Sequence, residues 1–340
     1  MMMKYVCGIA TFWAPVFCVV ALAGCSSTAE KKPAPLRPAS PSPARAAAGF
    51  PAITLDNSGG ATFGQVIRQI GEAGGGGAVL LSGLEDWPAP SLQLRGTEFV
   101  RGLERLVAER DFQLQVLPHY VFIYPTGYEQ LTLLSLAGSL DRRFSDLDAS
   151  FALGAGTDLY NALALLSYSL GVTLVADNIV ADAWCGEMYL TDAPLPAILE
   201  ALLKSARIPA STFRIESTGD YVFIRSLQNA NTASACLNAG ELSEVARREL
   251  AKRVRVRLPR EVVGAVFESG ATPLSSVLPA LSAQTGLKFS ADAALADVLV
   301  NPAWLIDIPL QTALDLIVWQ WPVSGIGYVA SDGAIHFRAR

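Results

Sequence analysis

The chain repeats itself, and that repetition limits the folds open to it more than any other feature. Slid along itself by 96 residues, the sequence lays "GLERLV" (Gly102 to Val107) on "ILEALL" (Ile198 to Leu203) and "FGQVIRQIGEAGG" (Phe63 to Gly75) on "LYNALALLSYSLG" (Leu159 to Gly171). A further slide of 115 brings up a third set: "LSSVLPALSAQTG" (Leu274 to Gly286), "ALDLIV" (Ala313 to Val318), and "AIHF" (Ala334 to Phe337) in the place that "YVFI" holds at Tyr120 to Ile123 and Tyr221 to Ile224. Each set carries an acidic residue in the same slot: Glu104, Glu200 and Asp315. Offsets kept across separate segments mark an internal repeat of one small unit.

Within a repeat, apolar periodicity alternates between the two regular types. In repeat three "VVGAVFESG" reads as a strand, and Thr272-Pro273 reads as a helix start, with Leu274, Val277, Leu278 and Leu281 at helical spacing up to Gly286. "LKFSA" and part of "VLVNPAWLID" follow as strands, a second helix runs between Pro309 and Pro322, and "GIGYVAS" and "AIHFRA" flank the Asp332-Gly333 turn as a hairpin. Repeat two keeps this order and repeat one follows it more loosely. The expected fold class is α+β, three tandem small βαββαββ units. The boundaries are 51–125 for repeat one, 126–147 for a connector, 148–227 for repeat two, 228–258 for a helical connector and 259–340 for repeat three.

Residues 1–24 carry Lys4 and an apolar run from Val6 to Ala21 that is too short for a spanning helix, and the run ends in Leu22-Ala23-Gly24-Cys25. This resembles the lipobox of bacterial lipoproteins, which implies cleavage before Cys25, acylation of its thiol and, with Ser26 next, sorting to the outer membrane on the periplasmic side. Residues 25–50 are rich in Pro, Ala and Ser and nearly free of large apolar side chains. Such a tether cannot bury enough surface to fold, and fully extended it reaches ~70 Å.

The pattern "TPLSSVLPALSAQTGLKFSA … IPLQTALDLIVWQ … GIGYVASDGAIHF" resembles the secretin and TonB short N-terminal domain, most closely in repeat three. The resemblance implies two helices between a two-stranded and a three-stranded sheet. It also implies a docking role in a secretin-based secretion, type IV pilus or TonB-linked system. Members of that family continue into ring domains, plugs or barrels that these 340 residues do not hold.

Little in the sequence points to catalysis. No nucleophile elbow, zinc-protease motif, CxxC or phosphate-cradling glycine loop occurs, and Gly74 to Gly77 follows a helix where phosphate loops precede one. His119 and His336 fall at closing-hairpin positions and read as ordinary hairpin residues. No catalytic residue, metal site or cofactor is expected. A net charge of −5, with 17% charged residues, gives no basic excess to attract nucleic acid.

Cys185 and Cys236 are the thiols left after processing, either joined as a disulfide or buried free. The connector "ELSEVARRELAKRVRVRLPR" has acidic residues leading and basic residues trailing, which suits a helix from about Glu241 to Lys252. Its Arg247, Arg248, Lys252, Arg253, Arg255 and Arg257 are either a solvated face or a spot for an acidic partner or anionic glycan. Trp319 lies opposite the core stripe of its helix (Leu310, Leu314, Ile317, Val318, Trp321), so it covers either a neighbouring segment of the chain or an envelope partner. Two readings follow for the whole chain. One is a docking lipoprotein without enzyme activity; the other is a ligand-binding or signalling lipoprotein with a pocket between repeats.

Overall fold

The structure, a computed structural model, describes residues 50, 52–73, 76–231, 234–259 and 270–339, and the described residues fall within one compact unit. The lipobox, the tether and most of "VVGAVFESG" lie outside the described residues.

Repeat one comprises β1 (Ile53–Asn57), α1 (Phe63–Glu72), β2 (Gly77–Leu80), β3 (Leu92–Thr97), α2 (Phe99–Val107), β4 (Phe112–Val116) and β5 (Tyr120–Pro125). A short helix, α3 (Arg142–Ser145), precedes repeat two. That repeat holds β6 (Asp148–Leu153), β7 (Thr157–Asp158), α4 (Leu159–Leu170), β8 (Thr173–Ala176), α5 (Asn178–Ala181), β9 (Trp184–Cys185), β10 (Met188–Pro194), α6 (Leu195–Ser205), β11 (Phe213–Ser217) and β12 (Tyr221–Ser226). After α7 (Glu244–Ala251) come β13 (Arg253–Arg257), β14 (Thr272–Pro273), α8 (Leu274–Thr285), β15 (Lys288–Ala291), β16 (Leu299–Val300), β17 (Trp304–Pro309), α9 (Leu310–Trp319), β18 (Ile326–Ser331) and β19 (Ala334–Ala339). The protein is therefore mixed α+β, with helices packed on several small sheets.

The same strand pairings recur in all three repeats. β1 pairs with β3, β6 with β10 and β13 with β17, all antiparallel. In the three-stranded sheets the hairpin's second strand runs parallel to the strand after the first helix, with Gly77 opposite Tyr120, Thr173 opposite Tyr221 and Lys288 opposite Ala334. The first pairing carries a correction. Its repeat-three strand is β13, which the sequence assigned to the connector, because its alternating Arg and Val read there as the basic tail of a helix.

Each two-stranded pair breaks register at one bulge, and Gly96 (φ 57°), Asp192 (φ 46°) and Asp307 (φ 52°) occupy the same place in it. A left-handed residue of this kind disfavours most side chains. Partners on the opposite strand hold the two aspartates: Ser150 Oγ accepts from Asp192 N at 3.1 Å, and Arg253 Nε donates to Asp307 Oδ1 at 2.8 Å.

The helices start as their caps dictate. Thr62 and Gln65 form a reciprocal capping box at α1, whereas α6, α8 and α9 each begin after a proline, Pro194, Pro273 and Pro309. Thr272, expected to cap α8, instead lies in β14 and donates to Pro259 O at 3.1 Å. Gly171 and Gly286 end α4 and α8 in the left-handed conformation.

Buried apolar side chains form two clusters. One runs unbroken through repeats one and two and includes Leu131, Leu134, Leu136 and Leu140 of the first connector, which packs between them. The other fills repeat three and takes in Val175 and Phe223 from repeat two. Each fully buried Leu, Ile or Phe contributes roughly 1.5–3 kcal/mol against solvent exposure.

Candidate docking surfaces

In repeats two and three the acidic slot recognised in the sequence is a clamp for the connector that enters the repeat. Glu200 on α6 is buried; its Oε1 accepts from the Tyr120 hydroxyl at 2.8 Å and from Lys204 Nζ at 2.9 Å, and its Oε2 from the connector amide Leu136 N at 3.1 Å. Asp315 on α9 accepts from the second connector, Ala235 N, at 3.0 Å and from the Tyr328 hydroxyl at 3.3 Å. Burial pushes the Asp315 carboxyl up to about 6, because few donors compensate the water it has lost. In repeat one the same slot holds Glu104, which is exposed on α2.

One turn further along, the helices contact the preceding repeat. Lys204 and Trp319 occupy equivalent places. Lys204, fully buried, lies 5.8 Å from the Tyr120 ring and donates to Gln115 Oε1 at 3.0 Å, and burial lowers its ammonium's affinity for the proton. Trp319 packs on β12 of repeat two, with Tyr221 at 6.2 Å, Phe223 at 6.0 Å and the Arg225 guanidinium 5.1 Å over its ring. Of the two roles open to Trp319, the structure shows the cover of a neighbouring repeat.

These contacts define an outer face on each three-stranded sheet. Repeat one presents Val79 and Phe122 there, repeat two presents Val175 and Phe223, and all four are buried. Repeat three has Ser290 and His336 in those places. Ser290 Oγ lies 2.8 Å from His336 Nδ1, and His336 Nε2 lies 2.9 Å from Asp292 Oδ1. The hydrogen bond from His336 holds the Asp292 carboxyl below its ordinary value. A serine, an imidazole and a carboxylate in line can relay a proton, but Ser290 is exposed on a mid-strand sheet face, away from the strand-to-helix elbow that presents a nucleophile. The line acts as a polar cover where the other repeats are apolar. Sequence reading missed Ser290 and Asp292; laying the repeats position by position, Val79 and Val175 over Ser290, carries the signal.

The basic connector divides in two. Arg248 pairs with Glu244 at 3.3 Å on the exposed side of α7, and Arg247 is exposed beside it. Arg253 is held by Asp220 and Asp307, each at 2.8 Å, which raises its affinity for the proton. The outward side chains of β13 are Arg253, Arg255 and Arg257, whereas Val256 is buried and Val254 half-buried. Arg257 stacks over Trp304 at 5.3 Å. β1 shows Thr54 and Asp56 in this position, and β6 shows Asp148, Ser150 and Ala152.

Cys185 and Cys236 are both free and buried, so the disulfide is corrected. They belong to different clusters, Cys185 to the core of repeats one and two and Cys236 to that of repeat three. Burial pushes the Cys185 thiol up to about 12 and raises Cys236 as well, which leaves both protonated and unreactive. Cys25 lies outside the described residues. Among the described residues, no group of three or more His, Cys, Asp or Glu side chains is placed to hold a metal ion, and no helix is long and apolar enough to cross a membrane. No family model matches the chain, and neither a curated protein nor a solved structure matches it.

Proposed function

We propose that the protein is a docking protein of the bacterial envelope without enzyme activity, anchored in the outer membrane by lipid on Cys25 and facing the periplasm. Its three tandem βαββαββ domains, of the secretin and TonB short N-terminal kind, serve a secretin-based secretion or type IV pilus system as accessory or adaptor. The lipobox and the proline-rich tether support the anchor; the repeated unit and its resemblance support the system.

The observation that carries the docking role is β13. Among the described strands it pairs with β17 alone; on its other edge Gln284 bonds both backbone groups of Arg257, no described strand covers Arg253 to Arg255, and its exposed side chains alternate as arginines. An extended acidic segment added along that edge gains main-chain hydrogen bonds and meets Arg255 and Arg257 with charge of opposite sign. Purification from crosslinked envelopes tests this. The wild-type chain should capture a secretin, pilus or TonB-linked component. An Arg255→Glu, Arg257→Glu chain with unchanged melting should lose at least tenfold of it. Equal capture by both chains, or capture of nothing from the envelope, sinks the reading.

A further inference from the structure

Each connector touches the repeat it enters at the same places, and repeat one offers those places as well. Leu136 of the first connector donates its amide to Glu200, and a few residues on Asp141 N donates to Ser217 Oγ at 2.8 Å. Ala235 of the second connector donates its amide to Asp315, and a few residues on Asn238 bonds both backbone groups of Ala330. Ser217 and Ala330 hold one position in the hairpin's first strand, opposite Val222 in β12 and Ile335 in β19. A helix then packs on the second helix of the repeat, α3 on α6 with Phe144 buried and α7 on α9 with Leu250 buried. In repeat one Glu104 holds the slot of Glu200 and Asp315, and Val116, opposite Val121, holds the position of Ser217 and Ala330. Val116 is 54% exposed, Glu104 is exposed and bonds no donor among the described residues, and β4 is the end strand of its sheet. The entering chain already leans on the second helix: Phe50, the first described residue, packs on Phe99 at the start of α2, with ring centroids 4.9 Å apart.

We infer that residues 36–49, which lie outside the described residues, are a third connector that docks on repeat one, the Leu36 amide on the Glu104 carboxylate and Ala39 and Ser40 beside Val116 at the free edge of β4. Leu36 is the one large apolar side chain between Ser26 and Gly49, and the residues clamped in the other two repeats, Leu136 and Ala235, are apolar and buried. Spacing agrees. Leu136 lies 12 residues before β6, Ala235 lies 18 before β13, and Leu36 lies 17 before β1. Arg37 brings a positive charge towards Glu104, and Pro38 and Pro41 suit an edge, where a proline facing outward leaves no amide unpaired. Ala44 to Ala48, four alanines and an arginine, stands where α3 and α7 stand and is made of strong helix formers. The consequence is a shorter reach. With Leu36 fixed to α2, the free span from Cys25 extends to ~35 Å instead of ~70 Å, which keeps repeat one near the lipid. The docking of Leu36 does not rest on the proposed function; the shortened reach rests on the anchor at Cys25.

Hydrogen exchange of the full chain, read by mass spectrometry, tests the inference. Peptides covering Leu36 to Ser40, and those covering Val116, should exchange about tenfold or more slowly than peptides covering Ser26 to Lys32. Glu104→Ala, a change at an exposed side chain, should release the protection of Leu36 to Ser40 while the chain still melts cooperatively, and Leu36→Asp should release that of Val116. Equal exchange across residues 26–40, or protection that survives Glu104→Ala or Leu36→Asp, overturns the inference. So does protection that disappears on dilution, which would place the segment on another molecule. Envelope capture through Arg255 and Arg257 is untouched by either variant, and exchange at Leu36 does not depend on what Cys25 carries, so the two readings fail separately.

Discussion

The junction between repeats one and two is written mainly in backbone, and the junction between repeats two and three mainly in side chains. In the first, β10 completes a five-stranded sheet with β2, Leu80 N donates to Glu187 O at 2.9 Å, and Ser82 N to Ser205 O at 2.9 Å. In the second, no ladder forms, and polar side chains do the bridging. Thr173 bonds Ile306; Asn178 reaches Leu299 O and Asn301; Asn229 donates to Trp319 O; and Asn231 donates to Trp321 O and Val323 O. The equivalent helical position is a buried lysine in one junction and a tryptophan in the other. One repeat geometry therefore tolerates opposite chemistries at its seam, provided that each brings its own partners: Glu200, Gln115 and Tyr120 for Lys204, and Arg225, Phe223 and Tyr221 for Trp319.

Trp319→Ala should break the second junction most severely, at a cost of about 4 kcal/mol, the middle of the range for removing a large aromatic from a packed site. Calorimetry should then show repeat three melting apart from the rest, and a single unchanged transition would mean that Trp319 does not couple the repeats. Lys204→Ala should cost about 3 kcal/mol in the first junction, because it leaves the Glu200 charge buried without its cation. Glu200→Gln with Lys204→Met should recover most of that loss in chemical denaturation.

Asp315→Asn should act in the opposite direction. With a folded value of about 6 against an ordinary 3.8, the wild-type carboxyl holds its proton more tightly folded than unfolded. The stability contributed by this group is therefore fully present below pH 4 and is lost as pH rises through 6. Asparagine does not titrate and can still accept from Ala235 N and Tyr328. The variant should match wild type near pH 4 and exceed it by about 2 kcal/mol at pH 7.5, read as melting temperature against pH; a pH-independent difference would refute the assignment. The smallest effect, about 1 kcal/mol, is expected from Thr173→Val, which removes the hydroxyl that bridges to Ile306 and keeps the shape.

The repeat offsets, the hairpins and most helices are legible in the sequence because periodicity and turn residues are local signals. What crosses between repeats is not. The shared slot of Glu104, Glu200 and Asp315 is visible, but the amides that it clamps, Leu136 and Ala235, lie far away in sequence. β13 is misread because Arg-Val alternation after a helix looks like its basic tail. The expectation that two leftover thiols pair has no geometric content, and the two sit in separate cores. Trp319 is placed correctly off its own core stripe, yet only the fold identifies Phe223 and Arg225 as its cover.

The β2–β10 ladder also sets an order in time. Val79 emerges from synthesis about a hundred residues ahead of Met188, its strand partner. Until then repeat one carries an unpaired, apolar edge that its own residues cannot close. A chain made from its N-terminus therefore passes through a stage in which β2 has no partner on that edge, and an unpaired apolar edge is open to wrong strand pairing.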